Sequence, residues 1–332
     1  MFKVTQYIVA EKAGVSANTV SRVVNNKPDV NPKTRKRILK IINKLNYTPN
    51  LLAKSLKSGK TKTIGVIVSN LNNPFFNQVL SGIDEILNGK QYNIIICNSN
   101  NDYNREEKAI VTLIQKRVDG ILITPVEEKS LDFTYMKKTK VPFVLFMSHF
   151  KTTNTDYIGF NDKIGSFQAT QHLISRGHRK ILYLGGPSYF SLAKERLYGH
   201  KKALVTHGIK ADQKLIKEIV NPNMEESYKI VNQILSKEFD FTAIATFNDY
   251  IAMGTLKAIL ERNLKVPEDI AIIGYDDIEF ASLSIVPLTT IRLPKYLLGK
   301  KAAELLLTKI TGRKRKYQRI FLEPNLIIRS ST

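Results

Sequence analysis

The sequence predicts an α/β protein, in which a small all-helical module at the amino terminus precedes a larger core built on parallel β-sheets. Length is the first reason, because 332 residues correspond to about two domains. Charge is the second, since residues 1–60 hold 13 of the 51 lysines and arginines but only two of the 29 acids. Hydrophobic periodicity is the third: it is helical before residue 60, and apolar runs alternate with helical stretches after residue 63.

The composition excludes several classes of protein. The single cysteine, Cys97, rules out a disulfide framework and any zinc site built from several cysteines. No stretch of 18 apolar residues and no secretion signal is present, so we expect a cytoplasmic chain that does not enter a membrane. No GxGxxG motif follows the first predicted strand of the core, and the motifs GxxxxGK[ST] and GxSxG are absent. The five histidines lack the spacing of metal ligands. We therefore expect a binding protein and not an enzyme, with no metal and no cofactor.

The first two predicted helices form a helix-turn-helix pattern. Thr5 can cap a helix over residues 6–13, and Gly14 suits the left-handed position that follows it. Ser16 can cap a second helix that runs from residue 17 to about residue 25. Two short helices joined by a glycine-containing turn are typical of this motif.

The start of the second helix is where such a motif reads DNA, because it enters the major groove. Arginine pairs well with guanine and asparagine with adenine, whereas short hydroxyl side chains more often bind phosphates. The residues expected at base edges are Ala17, Asn18 and Arg22, and those expected at phosphates are Ser16, Thr19 and Ser21. The basic charge of the module favours a polyanion partner, although a solvated lysine-rich surface would give the same charge.

Residues 31–63 complete the module and connect it to the core. Asn31 and Pro32 open a third helix whose isoleucines recur at helical spacing and close a small core. Asn50 can cap a fourth segment, 51–58, which is too short to be a stable helix alone. Its apolar residues either pack onto the next domain or pair with a second copy on DNA, pushing a leucine into the minor groove. Residues 59–63 then form a linker.

The module resembles the DNA-binding headpiece of the LacI/GalR family of bacterial transcriptional regulators. The matching segments are VAEKAGVS at 9–16, TVSRVVN at 19–25 and LNYTPN at 45–50. The resemblance implies that residues 1–58 form a headpiece with a hinge helix at 51–58, in which Leu56 is the intercalating wedge. Two-fold pairing of such hinges predicts a homodimer on a near-palindromic double-stranded DNA operator. The remaining predicted DNA contacts are Thr5, Asn25, Tyr47, Asn50, Ala53 and Leu56.

In the core, apolar strands alternate with amphipathic helices, which is typical of parallel sheets covered on both faces. The predicted strands are 64–69, 93–97, 120–124, 143–147, 180–185, 243–246 and 271–274. The predicted helices include 74–87, 105–116, 164–175, 194–206, 225–235, 252–262 and 294–310. Ligands of such sheets bind beyond the carboxyl ends of the strands. Aromatic, amide, arginine and carboxylate side chains follow several strands, and they suit a polyhydroxylated or heteroaromatic ligand.

Residues 64–332 resemble the regulatory core of the same family, which shares the fold of type I periplasmic sugar-binding proteins. VDGIL at 118–122, HLISRGH at 172–178 and IGYDD at 273–277 are among the segments that carry the resemblance. It implies dimerisation through the core and two subdomains, joined by crossovers near residues 160, 291 and 319. The subdomains are about 64–159 with 292–318, and about 160–291 with 319–332. The implied effector contacts in the cleft are Asn73, Phe75, Phe76, Arg196, Asn248 and Asp276.

Two positions depart from the family pattern. Met147 and Ser148 stand where sugar-binding relatives often have Asp-Arg or Asp, and Leu293 stands where many have Gln. With Met147 counted among the effector contacts, we expect a ligand that is less hydroxylated than ribose or a galactoside, or oriented differently. The alternative is a cleft whose ligand has almost no regulatory effect, as in relatives that are controlled by a partner protein.

The sequence thus predicts a sequence-specific DNA-binding regulator, expected to repress carbohydrate-related genes under the control of a small-molecule effector. The effector would shift the balance between cleft conformations and so change the pairing of the hinge segments. Release from DNA and promotion of DNA binding both stay open, because related regulators work both ways. An alternative is control by a protein partner that docks on a basic face of the core, at Lys295, Lys300 and Lys301.

Overall fold

The computed structural model describes residues 4–48, 59–127, 130–148, 154–312 and 316–332. The chain divides into two compact units, Met1–Thr61 and Lys62–Thr332, each with a hydrophobic core of its own. The division falls inside the predicted linker, 59–63. The predicted hinge helix, 51–58, lies outside the described residues.

Helices α1 (Gln6–Ala13), α2 (Ala17–Val24) and α3 (Pro32–Lys44) make up the first unit. Their ends follow the predicted caps: Ser16 Oγ accepts a hydrogen bond from the Thr19 amide at 3.1 Å, which satisfies one of the free amides of the first turn. Gly14, at φ +60°, turns the chain between α1 and α2 without the strain that a Cβ atom would bring. The buried side chains that hold the three helices together are Val9, Ala10, Ala13, Val20, Val23, Val30 and Ile38.

Strands and helices alternate along most of the second unit. Its strands are β1 (Thr63–Val68), β2 (Asn93–Asn98), β3 (Gly120–Ile123), β4 (Phe143–Phe146), β5 (Tyr157–Phe160), β6 (Ile181–Gly185), β7 (Ile216–Glu218), β8 (Ala243–Thr246), β9 (Ala271–Ile273), β10 (Thr290–Arg292), β11 (Arg319–Leu322) and β12 (Asn325–Ile327). Its helices are α4 (Phe75–Asn88), α5 (Tyr103–Gln115), α6 (Ser130–Thr139), α7 (Asp162–Ser175), α8 (Ser191–Thr206), α9 (Met224–Leu235), α10 (Asp249–Leu260), α11 (Glu279–Leu283) and α12 (Lys295–Ile310).

The strands form two parallel sheets and one short antiparallel pair. The first sheet has the order β11-β5-β4-β3-β1-β2, the second has the order β7-β6-β8-β9, and β10 pairs with β12. Every residue of β3, β4 and β8 is buried, as expected for strands covered by helices on both faces. We call the first sheet with α4–α6 and α12 the N lobe, and the second sheet with α7–α11 the C lobe.

The chain crosses between the lobes three times, and the third crossing differs from the prediction. The first lies between β5 and α7, and the second lies between β10 and α12. The expectation of a third crossing near residue 319 is wrong, because Arg319–Leu322 pairs in parallel with β5, with Ile320 opposite Ile158. Residues 319–322 therefore belong to the N lobe, and the crossing follows Leu322.

Apart from the hinge helix at 51–58, which lies outside the described residues, every predicted strand and helix is present, with bounds shifted by three residues or fewer. The sequence did not indicate the strands β5, β7 and β10–β12 or the helices α6 and α11. Within the described residues, no helix has the length and apolar content needed to cross a membrane. The same residues contain no cluster of three or more histidine, cysteine, aspartate or glutamate side chains that could hold a metal ion.

Candidate functional site

The exposed face of α2 carries two of the three side chains that the sequence assigns to DNA bases. Asn18 and Arg22 are exposed, as is the predicted DNA contact Asn25, and their spacing places them on one side of the helix. Ala17, the third, is half-buried against the core of the first unit. Val20 and Val23 are buried on another side, so packing against the other helices fixes which face is presented. The polar face is therefore available to a partner.

Local contacts hold part of this face in place. Ser16 Oγ also lies 2.9 Å from Thr19 Oγ1, so two of the three predicted phosphate contacts sit at the capped start of α2. Arg22 is ion-paired with Asp29, and both side chains are close to half exposed. An exposed pair of this kind contributes little free energy, so a DNA group can replace the carboxylate at small cost.

The other predicted DNA contacts fall into two groups. Thr5 is exposed and caps α1, accepting from the Ile8 amide at 3.4 Å, whereas Tyr47 is half-buried against the core of the first unit. Burial raises the pKa of the Tyr47 phenol. Asn50, Ala53 and Leu56 lie outside the described residues. Sequence reasoning missed Gln6, whose side-chain amide donates to the Ala17 carbonyl and ties α1 to the start of α2.

All seven predicted effector contacts line one cleft between the carboxyl ends of the two sheets. The cleft contains about 470 Å³ of empty space, part of it open to solvent. From the N lobe come Asn73, Phe75, Phe76 and Met147, and from the C lobe come Arg196, Asn248 and Asp276. The other lining residues are Ser69, Asn70, Asn101, Phe190, Leu192, Pro222 and Phe247.

The N-lobe wall is aromatic and rigid. Phe75 and Phe76, at the start of α4, meet edge to face at 5.5 Å between ring centroids, and both are almost fully buried. They are therefore core residues and cleft residues at once. Asn73 Oδ1 accepts from the Phe75 amide at 3.0 Å, which fixes the turn into α4. Met147 lies at φ +63°, a strained backbone position for a residue with a side chain.

Arg196 is the central charged group of the C-lobe wall. Its side chain is 3% exposed, and Nε lies 2.7 Å from Asp162 Oδ1. Nη1 donates to the Phe247 carbonyl at 2.5 Å, and the guanidinium stacks 3.8 Å from the centre of the Tyr275 ring. Burial opposes the charge, but Asp162 and Asp276 outweigh it and hold the pKa of Arg196 above its ordinary value. Arg196 is thus a fixed, ionised donor beside the cleft.

Asp276 is held in place through its backbone. It lies at φ +111°, and Asp277 at φ +53°. Lys295 Nζ donates to both of their carbonyls, at 2.5 and 2.7 Å. Burial raises the pKa of the Asp276 carboxyl to about 7, against the opposing charges of Arg196 and Lys295. Burial therefore opposes ionisation of this carboxyl, and the two neighbouring cations favour it.

Asn248 reaches the cleft as a helix cap. Its Oδ1 accepts from the Ile251 amide at 2.8 Å at the start of α10. That bond fixes the orientation of the side chain and uses one lone pair of the oxygen, and the NH₂ group can donate to a ligand.

Sequence reasoning missed Asp162 and Tyr275, the main partners of Arg196. Asp162 opens α7 directly after the first crossing, and Tyr275 follows β9. Nothing in the sequence around Asp162 indicates a role in the cleft, because only the tertiary fold brings this residue to Arg196. Tyr275 lies within the predicted strand-end segment, and its position after β9 was the available signal.

The basic face assigned to a protein partner is wrong for one of its three lysines. Lys295 is 4% exposed, and its ammonium group donates to the backbone carbonyls of Asp276 and Asp277. Lys295 therefore cannot be part of a docking surface. Lys300 and Lys301 are partly exposed, and they pair with Glu85 at 2.7 Å and with Glu304 at 2.8 Å.

Known families and solved structures match both units. Residues 7–50 match the bacterial regulatory proteins of the lacI family, and residues 61–328 match the periplasmic binding proteins and sugar-binding domain of the LacI family. The HTH-type transcriptional repressor PurR of Photobacterium profundum is 36% identical over 325 residues, and the ribose operon repressor of Haemophilus influenzae is 36% identical over 323 residues, each with 97% of both chains covered.

A lac repressor dimer solved with operator and the anti-inducer ONPF has a TM-score of 0.88 at 30% identity, over 99% of both chains. The agreement thus extends over the helical unit and both lobes. The chain therefore belongs to the LacI family of bacterial regulatory proteins, and it is a regulator that binds operator DNA as a dimer under the control of a small-molecule effector.

Proposed function

We propose that this regulator represses carbohydrate-related genes and that its effector is a small polar metabolite bound in the cleft. The observation that carries the proposal is the convergence of seven side chains, spread from residue 73 to residue 276, on one cleft. The 36% identity with a ribose operon repressor supports the carbohydrate assignment.

The side chains that line the cleft restrict the chemical class of the ligand. Phe75, Phe76 and Phe247 provide flat apolar surfaces, while Arg196 and Asn248 provide fixed donors. Met147 puts an apolar side chain where an acid would bind sugar hydroxyls. These features favour a ligand with a ring and a few acceptor groups, less hydroxylated than a simple sugar.

On the DNA side, we propose that Asn18 and Arg22 read bases and that Ser16, Thr19 and Ser21 bind phosphates. Ala17, Thr5, Asn25 and Tyr47 complete the proposed contacts in the described residues. Exposure of the α2 face supports this assignment. Pairing of two such units favours a near-palindromic operator, with the predicted wedge Leu56 at its centre.

We further propose that the chain acts by binding and not by catalysis, in the cytoplasm where its DNA lies. The relatives' names as repressors support a non-enzymatic role.

A thermal-shift screen tests the ligand assignment. Purified protein is heated with sugars, sugar phosphates, nucleosides and nucleobases, each at high excess. A ligand at 100 times its Kd stabilises the folded state by about 2.7 kcal/mol, which raises Tm by several degrees. A hit is then tested for its effect on operator affinity. A hit that leaves operator affinity unchanged, or no hit in these classes, would contradict the proposal.

A further inference from the structure

The C lobe contains a second cavity, separate from the cleft. It holds about 560 Å³ of empty space, part of it open to solvent, between α8 and the strand ends of β6 and β7. Tyr183, Leu197 and Ile216 supply its ring and aliphatic surface, and Lys194 and Lys217 are among its polar lining residues. Like the cleft, it lies where the strands of a parallel sheet end, which is where such sheets bind ligands.

Tyr183 contributes its aromatic ring to the lining of this cavity. The side chain is almost fully buried and stacks on His200 at 4.7 Å between ring centroids, which holds the ring in place. The charges that act on its buried hydroxyl are those of Arg196 and Asp162, so the ring is the part of Tyr183 that the cavity offers a ligand.

The charges around the cavity favour an anion. Lys194 and Lys217 are both exposed, and neither ammonium group has an ion-pair or hydrogen-bond partner in the described part of the chain. The one carboxylate in the lining, Glu218, already accepts from the Ser188 amide at 2.8 Å. Two open cations thus stand beside aliphatic surface and a tyrosine ring, an arrangement that fits a small molecule with an apolar body and one anionic group.

Helix α8 and the loop before it separate this cavity from the cleft and line both of them. On α8, Leu192 and Arg196 line the cleft, whereas Ala193 and Leu197 line the second cavity. In the preceding loop, Phe190 faces the cleft and Ser188 the cavity. A ligand in the cavity would therefore contact the same helix that positions Arg196.

The geometry points to a second ligand site in the C lobe, which takes a small apolar carboxylate or phosphate and acts on the cleft through α8. This site deepens the proposed function, because occupation of the cavity would change effector affinity by way of Arg196. The binding step itself needs neither effector nor operator, so it is tested independently of the proposed function.

Phenyl phosphate is a suitable probe, titrated calorimetrically into the full-length protein without DNA. We expect a Kd of about 1 mM or tighter, and a loss of about tenfold or more in the double variant Lys194→Met/Lys217→Met. Lys214→Met is the matched control, because Lys214 is an exposed lysine of the same segment that does not line the cavity. Its affinity should equal that of the unmodified protein.

Two further measurements locate the probe. Asn73→Ala removes an amide from the cleft wall and should leave phenyl phosphate binding unchanged. Hydrogen exchange of the peptide covering residues 186–197 should slow when the probe binds, and should not respond in the double lysine variant. Absence of binding, or binding that Asn73→Ala removes and the double lysine variant keeps, would overturn the proposal.

Discussion

Arg196 keeps its charge in the interior because acceptors surround it on three sides. Asp162 and Asp276 balance the charge of the guanidinium, the Phe247 carbonyl accepts a hydrogen bond from it, and Tyr275 covers one of its faces. Sequence patterns alone could not reveal this, because an arginine in α8 has the same spacing as a solvated surface charge. The resemblance to a family indicated the position, and the tertiary fold supplies the reason for it.

Replacement of Arg196 by Met should lower the free energy of unfolding by about 3–5 kcal/mol, because Asp162 would stay buried without a counter-ion. Urea denaturation of the purified protein measures the change. Arg292→Met is the control, since Arg292 is half-exposed and its partner Asp277 keeps a second arginine, Arg329. That variant should lose no more than about 1 kcal/mol. Equal losses in the two variants would contradict the central role of Arg196.

Asp249 makes stability depend on pH. Burial, and the nearby charge of Asp276, raise the pKa of its carboxyl from 3.8 to about 8. The folded protein therefore holds a proton that the unfolded chain has lost, and stability falls as pH rises between about 4 and 8. This one group contributes about 1.4 kcal/mol for each pH unit.

Denaturation measured across this pH range in the unmodified protein and in Asp249→Asn checks the prediction. The variant should show a shallower decline toward pH 8, because it has no proton to lose. Parallel pH profiles for the two proteins would show that the carboxyl is ionised in the fold.

Among the elements, most amphipathic helices and seven apolar strands were predictable. β9 has only three residues but was predicted, because all three are apolar and buried. The equally short β7, β10 and β12 each include exposed residues, so they have no continuous apolar run. β11 alternates exposed and half-buried side chains, so its pattern is that of a surface segment. Such strands are set by the sheet edge that receives them, which the local sequence does not encode.

The crossing of α4 and α12 depends on two glycines. A Cβ atom on Gly82 would overlap the Tyr296 carbonyl, and one on Gly299 would overlap the Val79 carbonyl. Gly299→Ala should therefore push the helices apart and lower the free energy of unfolding by about 1–3 kcal/mol.

Chemical denaturation measures that loss, with Gly89→Ala as the control. Gly89 follows α4 at φ −58°, and the nearest atom to an added Cβ is 3.4 Å away. Its replacement should change stability by less than about 1 kcal/mol. A Gly299 variant as stable as the Gly89 variant would show that the two helices can separate without cost.

For the whole molecule, the uneven charge predicts two different responses to salt. The net charge is +22, and the first 60 residues carry about half of it. Operator affinity should fall with a slope of about −0.9 in log–log form for each phosphate contacted, because bound counterions are released from DNA. Fluorescence anisotropy with a near-palindromic operator at increasing KCl concentrations measures this slope.

Effector affinity is the internal control. Arg196 and Asp276 are buried and already paired, so salt should change the effector Kd little. If the effector Kd depends on salt as steeply as operator affinity does, the effector binds through exposed charges. That result would contradict the burial of Arg196 and Asp276.

The return of β11 to the first sheet has a consequence for how the chain is made. β5 pairs with β4 from the start, but its other edge stays open until residues 319–322 have left the ribosome. The C lobe waits equally long, because β12 pairs with β10, and Ser331 Oγ bonds to the Thr289 amide and the Ile272 carbonyl. The first sheet is therefore complete only when residues 319–322 have emerged, and the C lobe only when Ser331 has, so a nascent chain exposes two unpaired strand edges to chaperones until then.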